Sequence, residues 1–150
     1  MMVEYTMSDV CVFCSIASGK APASIVYEDA TVFAFMDLNP ANVGHTLVIP
    51  RCHWENIYEV PEEILADLAV VIKRVSIAVK KTVGADGISV LQLNGRAAGQ
   101  MVMHFHVHVI PRFRGDSISR ALGAMIGHHG FRMPERSELD EAAKKIRENL

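Results

Sequence analysis

At 150 residues the chain can bury a full hydrophobic core without disulfides or a second domain. Half of its residues are hydrophobic and 21% are charged, and a formal net charge of -2 argues against a nucleic-acid coat or a membrane-surface binder. No apolar run approaches the roughly 18 residues of a membrane span, and the first residues lack a signal peptide's basic and apolar regions, so a cytoplasmic protein is expected.

Residues 1–10 are expected to form a flexible N-terminal segment and residues 11–150 a single domain. In chain order, Asp9 is positioned to cap a short helix running through Ile16 and Ala17 and stopping near Gly19. Residues 25–28 and 32–36 read as a hairpin around Asp29, which puts Phe33, Phe35 and Asp37 on one face. The run Gly44-His45-Thr46-Leu47-Val48-Ile49-Pro50-Arg51-Cys52-His53 is a strand with an imidazole at its start and another beyond its end. Pro61 opens the longest helix, with Glu62 and Glu63 in its first turn, Lys80 and Lys81 in its last and Gly84 just beyond. Its stripe of Ile64, Leu65, Leu68, Val71, Ile72, Val75 and Val79 marks a core-facing side.

Residues 88–94 and 102–110 are expected to complete an antiparallel sheet across the glycine-punctuated loop Gly95-Arg96-Ala97-Ala98-Gly99-Gln100. A terminal helix follows Ser137, whose spacing to Asp140 reads as a capping box, with Leu139, Ala142, Ala143 and Ile146 inward. The predicted fold class is therefore α+β: an antiparallel sheet of about five strands, a long helix and a C-terminal helix. His128 and His129, in the segment 115–133, are read as exposed loop residues because adjacent side chains rarely aim together.

The most informative stretch is His104-Phe105-His106-Val107-His108-Val109-Ile110. Its alternation puts three imidazoles on one face of an extended chain while Phe105, Val107 and Val109 pack the other. Such a face suits an apolar core poorly, since each ring nitrogen needs a partner. Three readings stand: a catalytic metal held by imidazoles, nucleophilic catalysis on one imidazole, or a structural histidine cluster. The preceding glycine loop can turn its backbone N–H groups toward an anion, which favours a phosphate beside the histidines. Separately, Cys11-x-x-Cys14 in a reducing compartment matches half of a tetrahedral zinc site. Cys52 is read as a bystander.

The His-x-His-x-His strand preceded by Gly99-Gln100, together with Gly44-His45-Thr46-Leu47-Val48-Ile49-Pro50, resembles the histidine triad superfamily from Cys11 to Arg112. The likeness is greatest to its nucleoside phosphoramidate hydrolases. The uridylyltransferase branch carries Gln where His108 stands. The resemblance implies that His106 is the nucleophile toward the α-phosphorus of a purine nucleotide, with His108, His45 and His104 completing the catalytic set. It implies no Mg²⁺ requirement.

By the same resemblance Phe13, Ile16, Phe35 and Leu38 enclose the base, Asp37 accepts from the ribose hydroxyls and Leu47 lines the floor. Asn94, Gly99, Gln100, Met101 and Val102 border the phosphate. His53 and His104 complete a structural zinc site with Cys11 and Cys14. A homodimer is implied, with part of the long helix at its interface; the charge and the lack of an apolar span leave neither a membrane nor polymeric nucleic acid as an expected partner. Met101 departs from the Ser or Thr of many phosphoramidate hydrolases. A dinucleoside polyphosphate hydrolase therefore stays open, as does a non-catalytic nucleotide- or zinc-binding regulatory module.

Overall fold

The computed structural model describes residues 10–117 and 133–150. Asp9, nearly all of the expected flexible segment 1–10, and His128 and His129 lie outside the described residues.

The first helix, α1 (Val12–Ala17), is capped by Cys11, whose Sγ accepts from Cys14 N–H at 3.4 Å, so the cap is Cys11 and not Asp9. Strands β1 (Ile25–Glu28) and β2 (Val32–Met36) form the expected hairpin. Asp29 shapes its turn by accepting from Thr31 and Val32 N–H, each at 2.7 Å. Strand β3 (Thr46–Pro50) follows a loop that needs Gly44: its φ is +98°, and an added Cβ would lie 3.0 Å from Val83 Cγ1.

Helix α2 (Glu62–Val83) begins after Pro61 and ends at Gly84 in the left-handed conformation, as its sequence signals require. Strand β4 (Gly87–Gln92) ends earlier than expected, because the Asn94 side chain accepts from Gln92 Nε2 and from Ile57 N–H. Strand β5 (Val107–Arg112) likewise starts later than the residues 102–110 predicted and runs further. Its approach is held by other partners: Gln100 Nε2 donates to Val102 O, and Phe105 N–H donates to Trp54 O at 2.7 Å. Helix α3 (Arg136–Arg147) starts before Ser137, so the capping box does not form. Asp140 instead accepts from Ser24 Oγ at 2.6 Å.

The five strands form one antiparallel sheet in the order β1-β2-β3-β5-β4. On one face, Val26, Ala34, Val48, Phe105, Val107 and Val109 pack against Leu68, Val71, Val75 and Val79 of α2 and Leu139, Ala143 and Ile146 of α3. Alternation sends Phe33, Phe35, Leu47 and Ile49 to the other face, where Phe13, Ile16 and Ala17 of α1 cover them. His104 and His106 lie on this second face, buried edge-on against Phe13 of α1, with His108 beside them. Among the described residues no helix is long and apolar enough to cross a membrane.

Candidate active site and metal centre

Paired residues across an antiparallel sheet share a face, and the register aligns His108 on β5 with Leu47 on β3, Phe35 on β2 and Ile25 on β1. His108, Leu47 and Phe35 of this row floor a cavity of about 250 Å³, walled by Phe13 and Ile16 of α1, Asp37 and Leu38 after β2, and Met101 and Val102 before β5. His106 and His108 line it, with ring centroids 5.0 Å apart, and Phe13 meets His106 edge-on at 5.3 Å.

Backbone partners assign the tautomers. His106 Nδ1 lies 2.8 Å from the His104 carbonyl, which can only accept, so Nδ1 carries the proton and Nε2 keeps its lone pair. Ala41 N–H donates to His45 Nδ1 at 3.0 Å, which puts the His45 proton on Nε2. That proton faces His108 Nδ1 at 2.9 Å, with Asp37 Oδ2 at 3.4 Å. His108 therefore carries its own proton on Nε2. The outcome is one imidazole offering a lone pair beside another offering a proton.

Burial sets the charge states. It lowers the pKa of His106 and pushes His45 down to about 3 and His108 further still, so all three are neutral near pH 7. A neutral His106 is a competent nucleophile. Burial raises Asp37 to about 6, opposed by the Asn39 N–H that its carboxylate accepts.

Beside the cavity, Cys11, Cys14, His53 and His104 bring their ligand atoms within 4.8 Å of one another. Cys11 Sγ and Cys14 Sγ stand 3.4 and 3.6 Å from His104 Nδ1, and Cys14 Sγ 3.4 Å from His53 Nδ1. Sulfur and nitrogen ligands on a tetrahedral zinc are separated by about 3.6 Å, so the donor set fits that ion. His104 Nε2 donates to Pro50 O at 2.9 Å, which leaves Nδ1 as the ligating atom. The four residues could hold a metal. Asp37, His45 and His108 also lie close together. Both His45 nitrogens and His108 Nδ1, however, are engaged in the hydrogen bonds just described.

The sequence pattern thus brought Phe13, Ile16, Phe35, Asp37, Leu38, Leu47, Met101, Val102, His106 and His108 to one cavity. His45 stands behind His108, and His104 belongs to the metal cluster. Asn94, Gly99 and Gln100 do not reach the wall. Gln100 braces the loop, accepting from Gly95 N–H and donating to Glu55 and Val102 carbonyls. The amides of Ala98, Gly99 and Gln100 donate to Gly95 and Arg96 carbonyls, so the loop does not present them to an anion. Sequence reasoning missed Val12, Pro22, Ala23, Met36 and Arg136, which also line the cavity. Val12 adjoins Phe13, but nothing local signalled Arg136.

The HIT domain family matches residues 18–115, well over half of the chain. The chain belongs to the HIT domain family. An uncharacterized HIT-like protein of Methanocaldococcus jannaschii is 41% identical over 138 residues, covering 92% of this chain and 99% of the relative. An adenylylsulfatase of Arabidopsis thaliana is 37% identical over 113 residues, covering 75% of this chain and 57% of its own. An adenosine 5'-monophosphoramidase of Schizosaccharomyces pombe is 40% identical over 102 residues, covering 68% and 74%. Among solved structures, a Hit-like protein of Bartonella henselae superposes with a TM-score of 0.83 at 35% identity, covering 97% of this HIT chain and all of the other. A Zn-bound histidine triad protein of Mycobacterium smegmatis superposes at 0.77 with 37% identity, covering 93% and 92%.

Proposed function

We propose that this HIT protein hydrolyses purine nucleoside phosphoramidates, AMP-linked amines, at the α-phosphorus through a nucleotidyl intermediate on His106. The observation that carries the reading is the opposed pair of tautomers: His106 Nε2 with a lone pair, His108 Nε2 with a proton. His106 Nε2 forms a bond to phosphorus as the P–N bond to the amine breaks. The His108 Nε2–H, held in that tautomer by His45 Nε2–H, donates a hydrogen bond to the leaving nitrogen, and the departing amine takes its proton from solvent. Water then attacks phosphorus, the bond to His106 Nε2 breaks with the imidazole leaving neutral, and the proton released by water returns to solvent. Asp37 accepts from the ribose hydroxyls, and Phe13, Ile16, Phe35 and Leu38 enclose the base. The names of the fission-yeast and Arabidopsis relatives support chemistry that releases an adenylyl group.

Met101, half exposed on the cavity wall, brings no hydroxyl toward the leaving group and favours, as a second reading, polyphosphate-linked dinucleotides. Zinc on Cys11, Cys14, His53 and His104 would tie α1, with its cavity residues Phe13 and Ile16, to the approach of β5. Its contribution there is structural. Among the described residues β4 pairs on one side alone, with β5, and its other edge is open to a second copy of the chain, which supports a homodimer.

The test is intact-protein mass spectrometry after an acid quench of the full chain with an AMP-amine. A transient gain of one adenylyl group is expected in the wild type and none in His106→Ala, with AMP release reduced at least about a hundredfold. Unchanged turnover by His106→Ala would refute the nucleophile. AMP bound without turnover of any substrate would mark a binding module.

A further inference from the structure

Arg136 is the one Lys or Arg among the described residues lining the cavity, and its bond to Ser24 places it on the β1 side of the sheet, three strands from His108. Its Nη1 donates to Ser24 Oγ at 3.1 Å, and Ser24 precedes Ile25, the last residue of the row that starts at His108. Three strand spacings separate the two ends, about 14 Å. Between them the surface is apolar: Phe13, Ile16, Phe35 and Leu47. A mononucleotide whose phosphorus meets His106 and whose ribose meets Asp37 directs the far edge of its base toward Ala23 and Arg136.

The guanidinium is held at the cavity by Ser24. Ser24 Oγ donates its only proton to Asp140 Oδ1 at 2.6 Å, so toward Arg136 it can only accept. This occupies one guanidinium N–H and leaves the rest of the donor fork, with no acceptor function at all. A 6-oxopurine presents two acceptors, O6 and N7, along one edge, which matches such a fork. Adenine presents N7 beside an amino donor, which opposes it.

We infer that Arg136 selects 6-oxopurine nucleotides, guanine and hypoxanthine, over adenine nucleotides at the base end of the cavity. The inference rests on the nucleotide reading proposed above and refines its substrate class: AMP derivatives are accepted, and their guanosine and inosine counterparts bind more tightly.

The experiment is calorimetric binding of GMP, IMP and AMP to the full chain as wild type, Arg136→Met and Arg136→Lys. Wild type is expected to bind GMP and IMP about tenfold more tightly than AMP, as a bidentate arginine contact does between bases. Arg136→Met should bring the three affinities within about twofold of one another while AMP binding persists, and Arg136→Lys, lacking the fork, should retain only part of the preference. Equal wild-type affinities, a preference that survives Arg136→Met, or a preference for GMP that IMP does not share would overturn the inference. So would an equal loss for all three nucleotides in Arg136→Met, the mark of a residue that only anchors α3. If wild type bound none of them, the nucleotide reading itself would fall, whereas equal binding leaves that reading intact and removes only the role of Arg136.

Discussion

His45 shows how a single buried side chain couples stability to pH. Its folded pKa is pushed down to about 3 by burial, whereas the unfolded chain binds a proton near 6.5. Between those values the unfolded state holds more protons, so this contribution to stability is complete above pH 6.5 and is lost as the pH falls toward 3. His108 acts in the same sense. Asp37 acts oppositely: with its pKa raised to about 6, the folded state keeps a proton that the unfolded state releases between about pH 6 and 4, which offsets one histidine. The urea midpoint is therefore expected to fall from pH 6.5 to 5, each uncompensated histidine contributing at most about 1.4 kcal/mol per pH unit. Asp37→Asn should steepen the fall and raise stability at pH 7.5. A midpoint that rises on acidification would contradict this assignment of charge. The identity of these residues was legible in the sequence, but their tautomers were not. Those depend on the Ala41 amide and the His104 carbonyl, whose positions follow from loops that carry no pattern of their own.

Among the elements, α2 was the most legible because its apolar stripe, terminal charges, Pro61 and Gly84 all agree, and each acts within a turn or two of chain. Its central Leu68 is fully buried, while Val70 on the opposite side is half exposed. Leu68→Ala is expected to cost about 2–5 kcal/mol by urea denaturation, with an unchanged dependence on denaturant. Val70→Ala should stay within about 0.5 kcal/mol, and comparable losses at both positions would refute the assignment of faces. The strand ends and the α3 cap were less legible. Side-chain alternation continues through His104 and His106 although the ladder has not begun, because alternation needs only an extended chain and pairing needs a partner. Ser137 and Asp140 have the spacing of a capping box, yet Ser24 claims Asp140 from another element.

For the molecule as a whole, the cysteine pair brings α1 up to the histidine segment. Elemental analysis after reducing, chelator-free purification is expected to find about one zinc per chain, and its removal should lower the melting temperature and weaken nucleotide binding together, since α1 carries both Cys14 and Phe13. Cys14→Ser should reproduce the stripped protein, and a metal-free preparation that binds nucleotide normally would count against the site.

The sequence by itself determined the α+β class, the long helix, the two faces of the sheet and the family membership. Periodicity, turn chemistry and the His-x-His-x-His spacing are properties of neighbouring residues and need no fold to be expressed. Only the tertiary structure decided which groups meet: that Gln100 braces a loop, that His104 turns toward the cysteines, and that Arg136 reaches a cavity beside Ser24, 112 positions away in the chain. The physical reason is that a hydrogen bond or a cavity wall is made by whatever packing brings within reach, and residues far apart in sequence carry no local sign of that encounter.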